Sequence, residues 1–225
     1  MSSPETTSWT LVESAAAGDE SARQSFARHY LPAVEAYLAA RWRGSRLIEE
    51  KDDAAQEVFL ECFRSGGVLD RVERERAGGF RAFLYGVTRN VARRFETRAG
   101  RRKDHDVEKL DDIERDEPTL SRAFDRAWVV SRLREAWEAL RERAARENDE
   151  ALGRRIELLR LRSEEGLPIR DIAARWNVDA AVLHEDYRRV RNEFRQALIE
   201  TIAFHRPCSP AEAEKECAEL LGLLG

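Results

Sequence analysis

Three carboxylates and one amide are spaced in the segment 52–64 so that they can line one face of a helix. Apolar residues of the same segment recur at three- and four-residue steps, which predicts a helix packed on a core: Ala55, Val58, Phe59, Cys62 and Phe63. The polar set falls on adjacent turns of the opposite face: Asp53, Gln56, Glu57 and Glu61. Such a ridge can bind a basic partner, although a solvated acidic face without a partner has the same pattern.

Basic residues are concentrated in the segment 89–103, where Glu96 is the only acid. They are Arg89, Arg93, Arg94, Arg98, Arg101, Arg102 and Lys103. Apolar residues at helical spacing predict that this segment continues a helix with one buried face: Phe83, Leu84, Val87, Val91 and Phe95. A basic surface of this kind attracts DNA phosphates by releasing their counterions, so binding should weaken with salt. The alternative is a solvated helix end whose arginines complement the helix dipole.

A helix-turn-helix is predicted for residues 169–198. Asn177 tolerates the left-handed conformation that the turn needs, and Asp179 can cap the second helix. The buried stripe of that helix consists of Leu183, Tyr187, Val190, Phe194 and Leu198. Its exposed side carries His184, Arg188, Arg189, Arg191 and Arg195. The first turns of such a helix usually dock in the major groove of DNA.

The composition fits two small helical bodies. The 225 residues are 42% hydrophobic, which is enough to build cores, and 36% charged with a formal net charge of −4. Because the net charge is slightly negative, any DNA-binding surface has to be local. Three widely spaced cysteines, Cys62, Cys208 and Cys217, argue against a disulfide framework and fit a reducing compartment.

Several function classes are not indicated. No apolar run approaches the length of a membrane span and the start of the chain is polar, so we expect a cytoplasmic protein without membrane insertion. No arrangement of nucleophile, base and acid and no glycine-rich phosphate loop indicates an enzyme. His205, Cys208 and Cys217 are too loosely spaced for a structural zinc site. We therefore expect neither a metal nor another cofactor.

The order of these segments predicts an all-α fold of two small helical domains. Acids dominate residues 104–117, which predicts a flexible linker, and Pro118 can open the helix that follows. Glycine pairs bracket a loop between residues 65 and 79. The predicted parts are a disordered tail (1–8), a first helical domain (9–103), the acidic linker (104–117), a helix-turn-helix domain (118–203) and a C-terminal extension (204–225).

Two strings in the first domain resemble the second conserved domain of sigma-70 family RNA polymerase sigma factors, in the compact extracytoplasmic-function (ECF) type. The first string is Asp53-x-x-Gln56-Glu57-Val58-Phe59-Leu60, and the second runs from Phe80 to Asn90. The resemblance implies that core polymerase, through a coiled coil of its beta-prime subunit, contacts Asp53, Gln56, Glu57, Leu60 and Glu61. It implies that the minus-ten element of promoter DNA contacts Phe80, Arg81, Phe83, Tyr85, Arg89, Asn90, Arg93 and Arg94. The family usually has tryptophan at the position of Phe83.

The predicted helix-turn-helix resembles the fourth conserved domain of the same family, which reads the minus-thirty-five element. This resemblance implies DNA contacts for His184, Arg188, Arg189 and Arg191. The chain departs from the family at His184, Glu185 and Asp186, where lysine, serine and arginine are usual. Two acids near phosphates weaken binding unless they accept from a cytosine amine or pair with nearby arginines.

Both resemblances together imply a sigma factor that binds the beta-prime and beta subunits of core RNA polymerase, recognises and opens promoter DNA, and starts transcription. An anti-sigma factor or another regulator is a further expected partner. Two alternatives stay open. One is a helix-turn-helix transcription regulator that acts without polymerase, and the other is a sigma-like adaptor that no longer reads DNA.

Overall fold

The computed structural model of the chain describes residues 8–64, 79–102, 117–205 and 209–222, and every regular element within them is helical. The prediction of an all-α fold is confirmed for these ranges. The elements are α1 (Ser8–Ala16), α2 (Glu20–Arg41), a 3-10 helix (Arg46–Glu50), α3 (Lys51–Phe63), α4 (Gly79–Arg102), α5 (Glu117–Glu147), α6 (Glu150–Ser163), α7 (Ile169–Trp176), α8 (Ala180–His205) and α9 (Pro210–Gly222).

Several predicted boundaries fall on or near the edges of the described ranges. The loop at 65–78, the linker at 104–116 and the tail at 1–7 lie outside the described residues. Ser8, predicted to belong to the tail, begins α1, and Glu117, predicted to end the linker, begins α5. The C-terminal extension contains α9, where Ser209 and Glu212 cap each other: the Ser209 amide donates to Glu212 Oε2 over 2.8 Å.

The chain divides into two compact units. Unit 1 contains the described residues up to Ser131, with Phe204 and His205, whereas unit 2 contains Arg132–Ala203 and α9. The first part of α5 therefore groups with unit 1, although the sequence prediction began the second domain at residue 118. Its apolar side chains explain this difference, because Leu120, Phe124 and Trp128 are buried in the same core as α2, α3 and α4.

Phe26 of α2 is the aromatic centre of unit 1. Its ring is fully buried, and its centroid lies 4.7 Å from that of Tyr30, 5.1 Å from Phe63 and 5.6 Å from Phe80. These rings meet edge to face, the arrangement that aromatic quadrupoles favour. Because Phe63 belongs to α3 and Phe80 to α4, one side chain joins three helices.

The entry into α2 follows from its local sequence. The Asp19 carboxylate accepts a hydrogen bond from the Ala22 amide over 2.7 Å and caps the helix. Gly18, at φ +100°, allows the chain to turn between α1 and α2. Pro32 lies inside α2, which nevertheless continues as one helix to Arg41.

A partly buried charge pair joins the end of α2 to α4. Arg41 donates to both oxygens of Glu96, over 2.6 Å from Nε and 3.0 Å from Nη2. Trp42 Nε1 donates to the same carboxylate over 2.9 Å, and Arg41 Nη1 donates to the Tyr37 hydroxyl over 3.1 Å. Arg41 is only 9% exposed, and its partnership with Glu96 raises the pKa of the guanidinium. Such a two-pronged pair in a low-dielectric setting fixes geometry as well as charge.

Unit 2 is built around α6, which has two buried faces. Leu158 and Leu161 pack with α7 and the start of α8 in a cluster that contains Ile172 and Leu183. On its other side, Ile156 and Leu159 share a cluster with Leu140, Leu152 and Val190. Both α7 and α8 therefore pack against α6.

We predict that Glu96→Gln lowers the free energy of unfolding by about 2 kcal/mol, because the buried Arg41 guanidinium then loses its nearest carboxylate and, among the described residues, keeps only that of the more distant Glu117. Urea unfolding followed by circular dichroism measures the change. Glu49→Gln, which removes the same charge from an exposed site in unit 1, is the matched control and should change stability little. Equal stability of the two variants would show that the pair does not hold α2 to α4.

Candidate nucleic-acid and partner interfaces

The predicted acidic ridge of α3 lies on the surface of unit 1. Ala54, Ala55, Val58 and Cys62 turn the opposite face into the core, so the ridge points outward. Asp53 and Gln56 are exposed, Glu57 and Glu61 are half-buried, and the Leu60 side chain is 64% exposed. The ridge therefore presents one exposed apolar side chain beside its carboxylates, and a single side chain of this kind does not by itself mark a contact surface.

Two of the predicted ridge acids bind a residue predicted to contact DNA. Arg94 of α4 approaches Glu61 Oε1 to 2.8 Å and Glu57 Oε1 to 3.7 Å. The ridge is therefore acidic at its start, around Asp53, and neutralised farther along. Sequence spacing along α3 does not reveal this pairing, because Arg94 comes from another helix.

A shallow groove of about 390 Å³ follows the end of α3. Leu60 and Phe63 provide its apolar lining and Arg23, Glu57, Glu61 and Arg64 its polar lining. Arg23 of α2 holds one wall in place, since its guanidinium carbon lies 5.2 Å from the centre of the Phe63 ring. Neither Arg23 nor Phe63 was predicted to belong to this surface.

Phe80, predicted to contact DNA, is instead part of the core. It is 4% exposed, and its ring lies 4.9 Å from Tyr30 in addition to its contact with Phe26. This position is explained by the stripe of α4, which places Phe80 in line with Leu84, Val87 and Val91. Phe83 is half-buried and packs on Phe80 at 5.7 Å, so it remains nearer the surface.

The other predicted residues of α4 reach the surface, and three of them contact acids of α5. The Tyr85 hydroxyl donates to Glu117 Oε2 over 2.7 Å, and Arg93 Nη2 lies 3.9 Å from Glu117 Oε1. Arg81 Nη1 lies 3.2 Å from Asp125 Oδ1. Burial and then the bond to Glu117 raise the pKa of Tyr85, so its phenol keeps its proton at neutral pH. Arg89 is half-buried and Asn90 is exposed.

The predicted helix-turn-helix is present as α7, a tight turn and α8. Asn177 has φ 51° and ψ 50°, the left-handed conformation expected for it. The Val178 amide donates back to the Ala173 carbonyl over 3.0 Å, which closes the end of α7. Asp179 then accepts from the Ala181 amide over 2.7 Å at the start of α8, as predicted for a cap.

The basic side chains of α8 are exposed, but Glu185 engages two of them. Its carboxylate lies 2.5 Å from Arg188 Nη2 and 3.6 Å from Arg189 Nε, and this pairing lowers the pKa of Glu185. Arg188 and Arg189 remain 73% and 63% exposed. Arg191 stacks over Tyr187 at 5.8 Å, and His184 is exposed on the first turns. The arginines can therefore exchange one carboxylate for DNA phosphates at a small cost.

Comparisons with known proteins do not identify the chain: no protein-family model matches it, and no curated protein matches it. Within the described ranges, no helix is long and apolar enough to cross a membrane. The same part of the chain contains no group of three or more His, Cys, Asp or Glu side chains arranged to hold a metal ion.

We predict that Asn177→Ala destabilises the protein by about 1 kcal/mol, because the left-handed backbone conformation of this residue is less favourable for alanine than for asparagine. Asn192→Ala is the matched control: Asn192 is exposed within α8, where alanine is the better helix former, so its substitution should be neutral or slightly stabilising. Urea unfolding of both variants measures the contrast. If both variants lost the same stability, the left-handed turn could not be the cause of the loss in Asn177→Ala.

Proposed function

We propose that this protein is a sigma factor, which joins the core enzyme of a bacterial RNA polymerase and directs it to a set of promoters. The observation that carries the proposal is the presence, in one chain and in the family's order, of the α3 ridge and of a helix-turn-helix with a basic outer face. Either feature alone occurs in many helical proteins, whereas the two in this order are typical of the resembled family.

In this proposal, polymerase and the two promoter elements contact different helices of the protein. Asp53, Gln56 and Leu60 of α3 offer charge, a hydrogen-bonding amide and an exposed apolar side chain to polymerase. The outer face of α4 supplies Arg89, Asn90 and Arg93 for the minus-ten element. The first turns of α8 enter the major groove at the minus-thirty-five element, where His184 and the nearby arginines lie.

In this proposal the protein performs no covalent step and needs no cofactor. Promoter opening draws on the binding free energy of unstacked bases, which aromatic side chains such as Phe83 accept by stacking. Lysine or arginine contacts to phosphates supply salt-dependent affinity. We place the protein in the cytoplasm, bound to polymerase and DNA in the nucleoid when active, and subject to an anti-sigma factor or another regulator.

We predict that Asp53→Lys and Leu60→Asp each weaken binding to purified core polymerase by about tenfold, because one reverses charge and the other removes an exposed apolar contact. Fluorescence anisotropy of the labelled protein measures the affinity. Glu147→Lys, a charge reversal at an exposed acid of unit 2, is the control and should bind like the wild type. Unchanged affinity of both α3 variants would contradict the proposed docking surface.

A second candidate, a sigma-like adaptor that holds polymerase but does not read DNA, is favoured by the contacts of Glu185 with Arg188 and Arg189. Replacing Glu185 by serine and Asp186 by arginine, the residues usual in the family, separates the two candidates. If the protein reads promoters, the double variant should change or relax promoter choice in transcription with core polymerase. If the wild type directs no transcription and the double variant does, the adaptor replaces the sigma factor as the better account.

A further inference from the structure

The start of α5 places two acids against the face of α4 that is proposed to bind DNA. Glu117, the first residue of α5, contacts Tyr85 and Arg93, and Asp125 contacts Arg81. Glu117 Oε1 also lies 3.6 Å from Arg41 Nη1, so this carboxylate approaches two guanidinium groups and one phenol. Three of the residues that the resemblance assigns to the minus-ten element therefore have a carboxylate of the same chain beside them.

Buried apolar contacts hold the two acids in these positions. Leu120 and Phe124 are fully buried, and the Phe124 ring meets Tyr85 edge to face at 5.4 Å. One turn farther on, Trp128 stacks on Tyr30 at 5.3 Å. The acids of α5 are thus carried by a helix that is packed into unit 1, which lowers the entropy cost of each ion pair.

We infer that the segment Glu117–Asp125 is an intramolecular inhibitor of DNA binding by α4. A carboxylate beside Arg81 or Arg93 occupies the position of a phosphate oxygen and repels the phosphate groups that approach. The Tyr85 hydroxyl donates its hydrogen bond to Glu117, so it cannot donate to a base or a backbone oxygen of DNA at the same time. Binding of promoter DNA at α4 requires these contacts to open. The inference rests on the proposed function, and in particular on α4 as a DNA-binding helix.

An inhibitory role and a merely structural role predict different changes in DNA affinity when the acids are removed. Glu117 lies in the first turn of α5, where a negative charge stabilises a helix, so its loss should reduce stability in either case. If the acids only shape unit 1, their removal leaves DNA affinity unchanged or weakens it. If they inhibit, their removal strengthens DNA binding even as stability falls.

The test measures the affinity of the full-length protein for a fluorescein-labelled single-stranded DNA of random sequence at low salt. We expect Glu117→Gln and Asp125→Asn each to tighten binding by about fivefold, the effect of removing one or two partly exposed ion pairs. The gain should shrink as salt is raised, because competition between carboxylate and phosphate is electrostatic. Glu138→Gln, at an exposed acid farther along α5, controls for the general effect of one negative charge fewer and should bind like the wild type.

Each outcome has a defined meaning. The inhibitory role of the segment is contradicted if the folded variants bind DNA no more tightly than the wild type. An equal gain in the Glu138→Gln control would contradict it as well. Should Glu117→Gln prove too unstable to study, Asp125→Asn decides alone, because the Asp125 carboxylate is partly exposed and, among the described residues, contacts only Arg81 and the Ser121 hydroxyl. The proposed function is tested separately by wild-type transcription with core polymerase. Promoter-directed transcription by the wild type together with unchanged DNA binding by the variants would overturn the inhibitor and leave the sigma factor in place.

Discussion

The carboxylate of Glu96 is the interaction on which the arrangement of unit 1 depends. It accepts from Arg41 and from Trp42, so the last turn of α2 and the second half of α4 are fixed to each other by three hydrogen bonds. Glu96 is also the only acid in an otherwise basic stretch of the chain. Because its charge is directed inward, the neighbouring arginines of α4 are left to face α3, α5 and solvent.

Charge pairing within the chain recurs at every surface that is proposed to bind a partner. Arg94 pairs with the ridge acids of α3, Glu117 and Asp125 pair with the arginines of α4, and Glu185 pairs with the arginines of α8. Exposed pairs of this kind contribute little to stability. They matter for binding instead. A DNA phosphate has to displace a carboxylate from an arginine, and a basic partner has to displace a guanidinium from a ridge acid.

The sequence predicted what depends on local spacing and missed what depends on contacts between distant segments. Periodicity identified the helical class, and the residue types at Asn177 and Asp179 predicted the turn and the cap because those conformations are set within a few residues. Phe80 was assigned to the DNA surface by resemblance, but its place in the apolar stripe of α4 buries it. The pairings of Arg94, Glu96 and Glu117 join residues of different helices that are more than 30 positions apart in the chain, so no spacing rule could reveal them. The same limit applies to α5: a helix after the linker was predicted, but not the core that its first half joins.

The central claim, that this chain directs a polymerase to promoters, is tested most directly by mapping transcript starts. Purified protein is combined with core polymerase from its own bacterium on fragmented genomic DNA, and the starts are compared with those of core polymerase alone. A sigma factor predicts new starts that appear only with the protein and share two spaced upstream elements. Binding to polymerase without any new start, or no binding to polymerase at all, would contradict the claim.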